Sequence, residues 1–540
     1  MLRASSITRL LGGLTVLCGL NPLTAQNPCE GDGVGSAYVT MTPAIVGGSS
    51  VINMGSPAAA NSIGLLLFGD DGAPTIPFCL GTNQFFISLL GVLDASGNTT
   101  FNLNVVPAAF DSRVYAKPLV WEWNQWSLGK TVRVQTEYAN SHRELPTLTG
   151  ARSLHTCTSL SKNPADNVTG AFVAGGATGN LITPTALDTI EVYDSVTRTW
   201  SAGPQMSVPR CRQAVVDLQD GTYLIAGGMT NAAVGTGGPA TDSVDLYVPS
   251  GNTIIPFPNM LSGRMGHGMT RLNDGRILVT GGFADWTDAG ALNGVNFVTQ
   301  LNTAQDSTEI YDPATGSWSA GPTMSSKRGG HSQTLLNDGR VLITGGVDGG
   351  AQILASGFQY IYVPTFTNTC EIFDPVTNTF TAAPVLALAR GFHGASILAN
   401  GDVLITGGAA SIGQYGDAVA TNTCAVWNSG TGWAPAPALP TGVAFHDQVR
   451  DYATGEAIIM GGFIGGFTNL QGTTQVVRHD GTAATVLATM GTHPTLAQPD
   501  FAAGTTAAAQ LHDGTILMTG GFEWAGLIGA ESNRTMLFVQ

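Results

Sequence analysis

The chain has 540 residues, 71 of them glycine, and its 22 basic and 37 acidic residues leave a formal net charge of −15. Charged residues make up only 11%, less than half the usual quarter, while hydrophobic residues reach 43%, so a coiled coil, a charge-rich disordered chain and a collagen are all excluded. Four lysines (Lys117, Lys130, Lys162 and Lys327) are too few for the dense basic face that nucleic acid phosphates require, so no nucleic-acid partner is expected.

Residues 1–25 read as a signal peptide. Arg3 and Arg9 are followed by the apolar run Leu10 to Leu20 and by Leu23-Thr24-Ala25 ahead of Gln26. That run is shorter than the roughly 20 residues needed to cross a bilayer, so the expected product is a secreted or cell-surface protein without a membrane span. Cys18 lies in this segment; six cysteines remain, of which Cys29 and Cys79 form a candidate disulfide. Residues 27–138 alternate apolar runs with Gly, Pro and Asn turns. Strands are expected at Ile63–Phe68, Gln84–Leu90, Thr100–Val106 and Thr131–Thr136, in a small β-sandwich-like domain.

From residue 140 the chain repeats. Gly-Gly doublets close short apolar runs at 175–176, 227–228, 281–282, 345–346, 407–408, 461–462 and 520–521, at intervals of 52, 54, 64, 62, 54 and 59 residues. The fullest unit runs Arg264-Met-Gly-His267, Asn273-Asp-Gly275, then Arg276-Ile-Leu-Val-Thr-Gly-Gly282. Asp-Gly between apolar runs marks a hairpin. Aromatics then recur seven residues apart, as Tyr193 and Trp200, Tyr311 and Trp318, and Phe373 and Phe380; Trp427 and Trp433 stand six apart. Each unit thus reads as four strands whose two faces need covering. Stacking the sheets about an axis achieves this, with Tyr and Trp as fillers. The doublets suit places where a side chain would obstruct a neighbouring sheet or the backbone needs an unusual φ.

This set of motifs resembles the kelch repeat, and the resemblance implies an all-β chain whose residues 140–540 form a seven-bladed β-propeller. Ser141-His-Arg-Glu-Leu145 matches a fourth strand without a blade, and Thr535 to Gln540 a third strand without a successor. Pairing 140–145 with 535–540 would close the ring and remove two edges. Blade 6, where Arg478-His479-Asp480 replaces the aromatic, is expected to be distorted.

Strand order gathers Arg152, Arg264, Arg328 and Arg390, with His155, His267, His331, His393 and His446, near the channel mouth; Arg212 joins them off the repeat pattern. They read either as an anion-binding ring or as framework residues. A metal is not expected, because positions related by pseudo-symmetry radiate from the axis rather than converge at ligand distance. Long loops on the same face carry Trp286 and Phe297, then Phe358, Tyr360, Tyr362 and Phe366, a candidate binding patch. The chain also resembles galactose oxidase and glyoxal oxidase, whose copper-radical chemistry needs a tyrosine cross-linked to cysteine and a tyrosine followed by histidine. Here Arg212 stands at the cross-linked position and no Tyr-His dipeptide occurs, so no such cofactor is expected. Cys370 and Cys424, at equivalent places in neighbouring sheets, are expected to stay unpaired. The combined reading is a binding or adhesion module for a protein or carbohydrate, with no assigned catalytic residue. The alternative is an oxidoreductase or lyase that uses the mouth histidines.

Overall fold

A computed structural model describes strands between residues 38 and 137 by their backbone, and most of residues 143–539 with side chains. Residues 1–37 and several loops lie outside the described residues, among them 70–84, 161–169, 180–183, 231–237, 287–302, 413–417, 465–470 and 490–502. The signal peptide, the Cys29–Cys79 pair and Phe297 and Phe358 therefore fall outside them. Among the described residues every long element is a strand and no helix is long and apolar enough to cross a membrane.

The chain divides into two compact units. The first comprises 1–40, 51–102 and 113–134, and the second comprises 41–50, 103–112 and 135–540. In the first, Ile63–Gly69 pairs antiparallel with Phe85–Val92 and with Arg113–Glu122, which pairs in turn with Gln125–Leu128. Arg113–Glu122 is absent from the sequence expectation because Pro118, which lacks an N–H, interrupts it; the strand forms with Pro118 opposite Leu66.

The second unit contains seven antiparallel blade sheets, six of four strands and the first of five, because Ala177–Gly179 also pairs with Pro184–Asp194. The innermost strands are Thr156–Ser159, Ala214–Asp217, Gly268–Arg271, Ser332–Leu335, Gly394–Ile397, Asp447–Arg450 and Ala507–Gln510. Each lies beside the next in cyclic order, and the seventh lies beside the first. The seventh blade is completed by Ser141–Leu145, which pairs antiparallel with Thr535–Val539 in the register Ser141 opposite Val539 and Leu145 opposite Thr535. These seven radial sheets with a borrowed last strand make the unit a seven-bladed β-propeller.

Alternation within the strands builds the core. In Ile277–Thr280, Ile277 and Val279 pack into an apolar cluster shared with blade 2, while Leu278 joins one shared with blade 4. Successive side chains of a strand point to opposite faces, so one continuous apolar run serves two joints. Such a cluster fills every joint, including blade 6 to 7 (Ile458, Ile516, Phe538) and blade 7 to 1 (Leu517, Leu537, Tyr193). The spaced aromatics are cross-strand neighbours: Tyr193 faces Trp200 and Tyr311 faces Trp318, with ring centroids 5.2 and 5.4 Å apart. Trp427 and Trp433 face each other as well, because their turn is one residue shorter. The outer indoles also tie blades together, Trp318 Nε1 donating to Pro258 O and Trp433 Nε1 to Pro384 O, each at 2.8 Å.

The doublets form the seam between blades. The second glycine N–H donates to the carbonyl at the repeat arginine position of the next blade: Gly228 to Arg264, Gly282 to Arg328, Gly346 to Arg390 and Gly521 to Arg152, all at 2.8–2.9 Å. At Gly281 a Cβ would lie 2.3 Å from Arg328 O, and at Gly282 it would lie 2.8 Å from the Cβ of His267. Both glycines have positive φ. Steric closeness and backbone conformation therefore both demand glycine here.

Each repeat arginine then clamps its own blade from within. Arg264 is fully buried, and its Nη1 donates to Gly281 O at 2.7 Å while its Nη2 pairs with Glu309 Oε1 at 2.6 Å. Glu309 in turn accepts from Ser262 N, which holds the incoming linker. Arg328 with Glu371, Arg210 with Asp245 and Arg152 with Glu191 repeat the arrangement. In blade 6 both members change together, since Val443 stands at the arginine position, Val477 at the acid position, and the two share one apolar cluster. That blade keeps four regular strands, and its departure from regularity is a register shift beside Val476 and Val477. Removing one partner of such a clamp leaves an uncompensated buried charge. Glu309→Ala should therefore lose about 3–5 kcal/mol in urea unfolding. Arg264→Met combined with Glu309→Leu should recover much of that loss.

Candidate functional site

Two positions beyond the repeat arginine, the backbone turns left-handed in six blades: Leu154, Arg212, Gly266, Gly330, Phe392 and Phe445 all have φ between 54° and 59°. Their flanking residues are buried, except the half-buried His331 after Gly330, while these six keep partial exposure. They are joined edge to edge. Arg212 N donates to Leu154 O, Gly266 N to Arg212 O, Gly330 N to Gly266 O, Phe392 N to Gly330 O and Phe445 N to Phe392 O, at 2.7–3.0 Å. This backbone belt forms a collar around the channel mouth. Phe392 and Phe445 stack, with ring centroids 4.1 Å apart and planes 19° apart, and the Phe392 ring covers Gly330. A Cβ at Gly266 would meet the Phe283 ring at 3.6 Å, so the collar runs Leu154, Arg212, two glycines with phenylalanine rings against them, and the phenylalanine pair. In the sequence only Arg212 stood out, because the position holds unlike residues and leaves no chemical pattern. The signal was positional: the variable residue between two fixed ones.

Directly behind the collar, each repeat histidine crosses to the preceding blade. Thr406 O–H donates to Gln448 Oε1 at 2.6 Å, so the His446 Nε2–H must donate to Thr406 Oγ1, 2.9 Å away. His331 with Thr280 and His155 with Thr519 repeat this, and His393 Nε2 lies 2.9 Å from Thr344 Oγ1. Each Nδ1 is buried without a protein partner. His267 differs. Its preceding blade offers Ala226 instead of threonine, and neither ring nitrogen has a hydrogen-bond partner. In blade 2 Gln213 takes the histidine place and donates to Ala174 O.

Burial first, then the neighbouring arginine charge, pushes His155, His267 and His393 down to about 3. The same causes take His446 to about 4 and hold His331 well below the ordinary imidazole range. Below the collar a cavity of about 240 Å³ is lined by His155, Thr156, Cys157, Thr158, Val215, Asp447, Ala507 and Ala508. Burial pushes Asp447 up to about 8. Cys157, Cys211, Cys370 and Cys424 are free thiols, and burial raises the first to about 12 and the next two to about 11, so none is a ready nucleophile. Among the described residues no group of three or more His, Cys, Asp or Glu is placed to hold a metal ion.

Above the collar the connections between second and third strands rise as a crown of backbone hairpins. Val347–Ala355 pairs with Gln359–Phe366, Ala409–Ile412 with Ala418–Ala420, Phe463–Ile464 with Gln471–Gly472, and Phe522–Ala525 with Ile528–Glu531. Trp286 lies opposite Gly238 in a pairing between the loops of blades 2 and 3, while Tyr360 and Tyr362 lie in the longest hairpin. The arginines lie elsewhere than the anion-binding reading requires. Arg152, Arg264, Arg328 and Arg390 are at most 3% exposed, with their terminal nitrogens bonded inside the blades. Arg390 lacks a carboxylate partner and donates to Gly407 O, Thr423 O and Thr423 Oγ1. His267 and His393 are likewise buried beneath the mouth, and His331 is half-buried there. Of the candidate arginines, Arg212 alone belongs to the collar.

The Kelch motif family model matches residues 172–207 and 271–325, which cover strands of blades 1 and 3. Over 229 residues the chain is 24% identical to Kelch-like protein 15 of Danio rerio and of Homo sapiens; the match covers 42% of this chain and 35% of each relative, about a third of their length. Among solved structures, one titled "Structure of YjhT" is similar at 15% identity and a TM-score of 0.44, over 63% of this chain and 99% of that one. A fungal alcohol oxidase of the AA5 family in complex with copper is similar at 15% identity and a TM-score of 0.48, over 74% of this chain and 75% of its own. The two matched Kelch motifs lie in a seven-bladed propeller whose blades carry Arg-x-x-His, Asp-Gly and Gly-Gly elements, a kelch-type propeller in its fold.

Two outcomes follow from the histidine joints. Ala226→Thr supplies the missing acceptor for His267, with its own O–H placed to reach Ala214 O as Thr519 reaches Ala507 O. It should add about 1 kcal/mol to stability, seen as a higher urea midpoint. The histidines are held neutral in the fold and titrate near 6.5 when unfolded, so the unfolded chain takes up protons that the fold does not. Stability should fall as pH drops from 6.5 toward 3, by up to ~1.4 kcal/mol per pH unit for each histidine. Asp447, raised in the fold, works in the opposite sense, losing its contribution as pH rises through about 8. Urea midpoints measured from pH 7 to pH 4 check the slope, and a flat profile would contradict it.

Proposed function

We propose that this kelch propeller is an exported binding module that receives a protein or carbohydrate, at the cell surface or outside the cell, on its crowned face. Kelch propellers commonly bind proteins. The observation that carries the reading is the crown itself: hairpins from successive blades rise around one mouth, the longest being Val347–Ala355 with Gln359–Phe366. Irregular or paired loops set on a rigid scaffold are where binding residues concentrate. The aromatic content of that hairpin (Tyr360, Tyr362 and Phe366) matches the composition of recognition surfaces. The apolar run after Arg3 and Arg9 supports export.

The test uses the full chain expressed with its leader. The secreted product should begin at Gln26 by N-terminal sequencing. Applied to a glycan array and to cell-surface extracts, it should capture a partner, and replacing 349–365 with a short turn should abolish capture while leaving the unfolding midpoint in place. Capture that survives this replacement would overturn the reading.

A further inference from the structure

The geometry points to a second site inside the propeller: the cavity beneath the collar binds a primary ammonium group, which displaces the proton of the Asp447 carboxyl. This site is independent of the crowned face. Its origin lies in how neighbouring blades fill the space between their innermost strands. At two joints the first residue of one such strand is glycine and the second residue of the next strand is glutamine. A Cβ at Gly268 would lie 2.2 Å from Gln333 Oε1, and one at Gly394 would lie 2.5 Å from Gln448 Oε1. Both amides are partnered: Gln333 accepts from Thr280 Oγ1, Gln448 accepts from Thr406 Oγ1, and Gln448 Nε2 donates to Ser396 Oγ at 2.7 Å. Between blades 6 and 7 the pair is inverted. Asp447 takes the glycine place and Ala508 the glutamine place, so the larger group is an acid and the space across from it stays open.

The resulting cavity of about 240 Å³ reaches from blade 6 across blade 7 to blades 1 and 2, with room for about eight waters at ~30 Å³ each. The innermost strands of blades 1, 2, 4 and 6 keep partial exposure along their whole length, and the cavity lies among them on the axis. Asp447 is half-buried, and its Oδ2 has no hydrogen-bond partner. Burial drives this carboxyl up to about 8, opposed only by the Ala508 N–H. The titratable groups that share the cavity with it are His155 and Cys157; blades 7 and 2 bring only Ala507, Ala508 and Val215, and no Lys or Arg is among the described lining residues. The Cys157 thiol, pushed up to about 12, stays protonated. Thr519 O–H donates to Ala507 O, so His155 Nε2–H donates to Thr519 Oγ1 and leaves Nδ1 as a lone pair without a protein partner. The lining thus offers an acid and a lone pair with no cation to meet them, a costly arrangement unless a ligand supplies one. An ammonium brings a positive charge and three N–H donors on one compact head. A divalent metal needs more ligands, and among the described residues no three of His, Cys, Asp or Glu stand together. The lysine side chain of a protein and a free small amine both carry this chemistry.

The experiment titrates the full chain by calorimetry with n-butylammonium, with an end-blocked heptapeptide carrying one central lysine, and with the same peptide acetylated on that lysine. At pH 7 the ammonium should bind and the carboxyl should hand about one proton to the buffer, read as a difference in heat between phosphate and Tris. Affinity should rise about 10-fold from pH 6 to pH 7 and level off above about pH 8, where the carboxyl is already ionised. Asp447→Asn should weaken binding at least about 10-fold and abolish the proton release. Ala508→Gln, which fills the cavity as Gln333 and Gln448 fill their joints, should weaken binding as much with the acid in place. Urea midpoints verify that each variant is folded. Peptide binding lost on acetylation assigns a lysine side chain, and binding of butylammonium without the peptide assigns a free small amine. No binding of any ammonium, binding unchanged in both variants, a flat pH profile, or displacement of butylammonium by equimolar calcium chloride overturns the inference. Replacing 349–365 should leave butylammonium binding intact, so the crowned face and this cavity stand or fall separately.

Discussion

The propeller depends on one contact made, among the described residues, at six of its seven joints: a glycine N–H reaching the carbonyl at the start of the next blade. At Gly282 and Arg328 O that distance is 2.8 Å, and the preceding Gly281 has no room for a methyl group. Two sheets can approach this closely only where both backbones are bare. Once they do, the arginine whose carbonyl is caught turns its side chain back to its own blade's first glycine and strand-three acid. The histidine three residues on reaches the threonine just ahead of the doublet. Seam, clamp and histidine joint are therefore consequences of the same approach, and the collar is the row of residues left facing the axis.

The fold was legible because its determinants are spacings. Gly-Gly in phase with Asp-Gly and with paired aromatics records strand length, hairpin position and cross-strand register. Even the six-residue spacing of Trp427 and Trp433 proved to be the same register over a shorter turn. The site was less legible, for two physical reasons. Strand order places Arg264 and Arg328 near the mouth but not the direction of their side chains, which turn inward to meet Glu309 and Glu371. The residues that do face the axis are chemically unlike one another, so they show no motif. What unites them is a backbone angle, which has no signature in the sequence when leucine, arginine and phenylalanine adopt it.

Blade 6 shows how interchangeable charge and apolar packing are once the seam exists. Val443 and Val477 occupy the places of arginine and acid, and Gly408 N still donates to Val443 O at 2.8 Å. The backbone contact persists while the side-chain chemistry above it is replaced, in keeping with buried ion pairs contributing little net stability over well-packed hydrophobes. The blades are thus held to one geometry by main chain and are free to differ in side chains, which is what allows leucine, arginine, glycine and phenylalanine to share the collar of a repeating frame.

The pairing of Ser141–Leu145 with Thr535–Val539 bears on how the molecule comes into being. Nearly four hundred residues separate these partners, so the earliest strand of the ring must wait, with its backbone donors unmet, until the last is made. Until then the growing arc ends in raw sheet margins that invite pairing with other chains. A shortened product that lacks Thr535–Val539 would differ from the whole not by a seventh of its stability but by having no way to fasten, and its natural fate is association rather than activity.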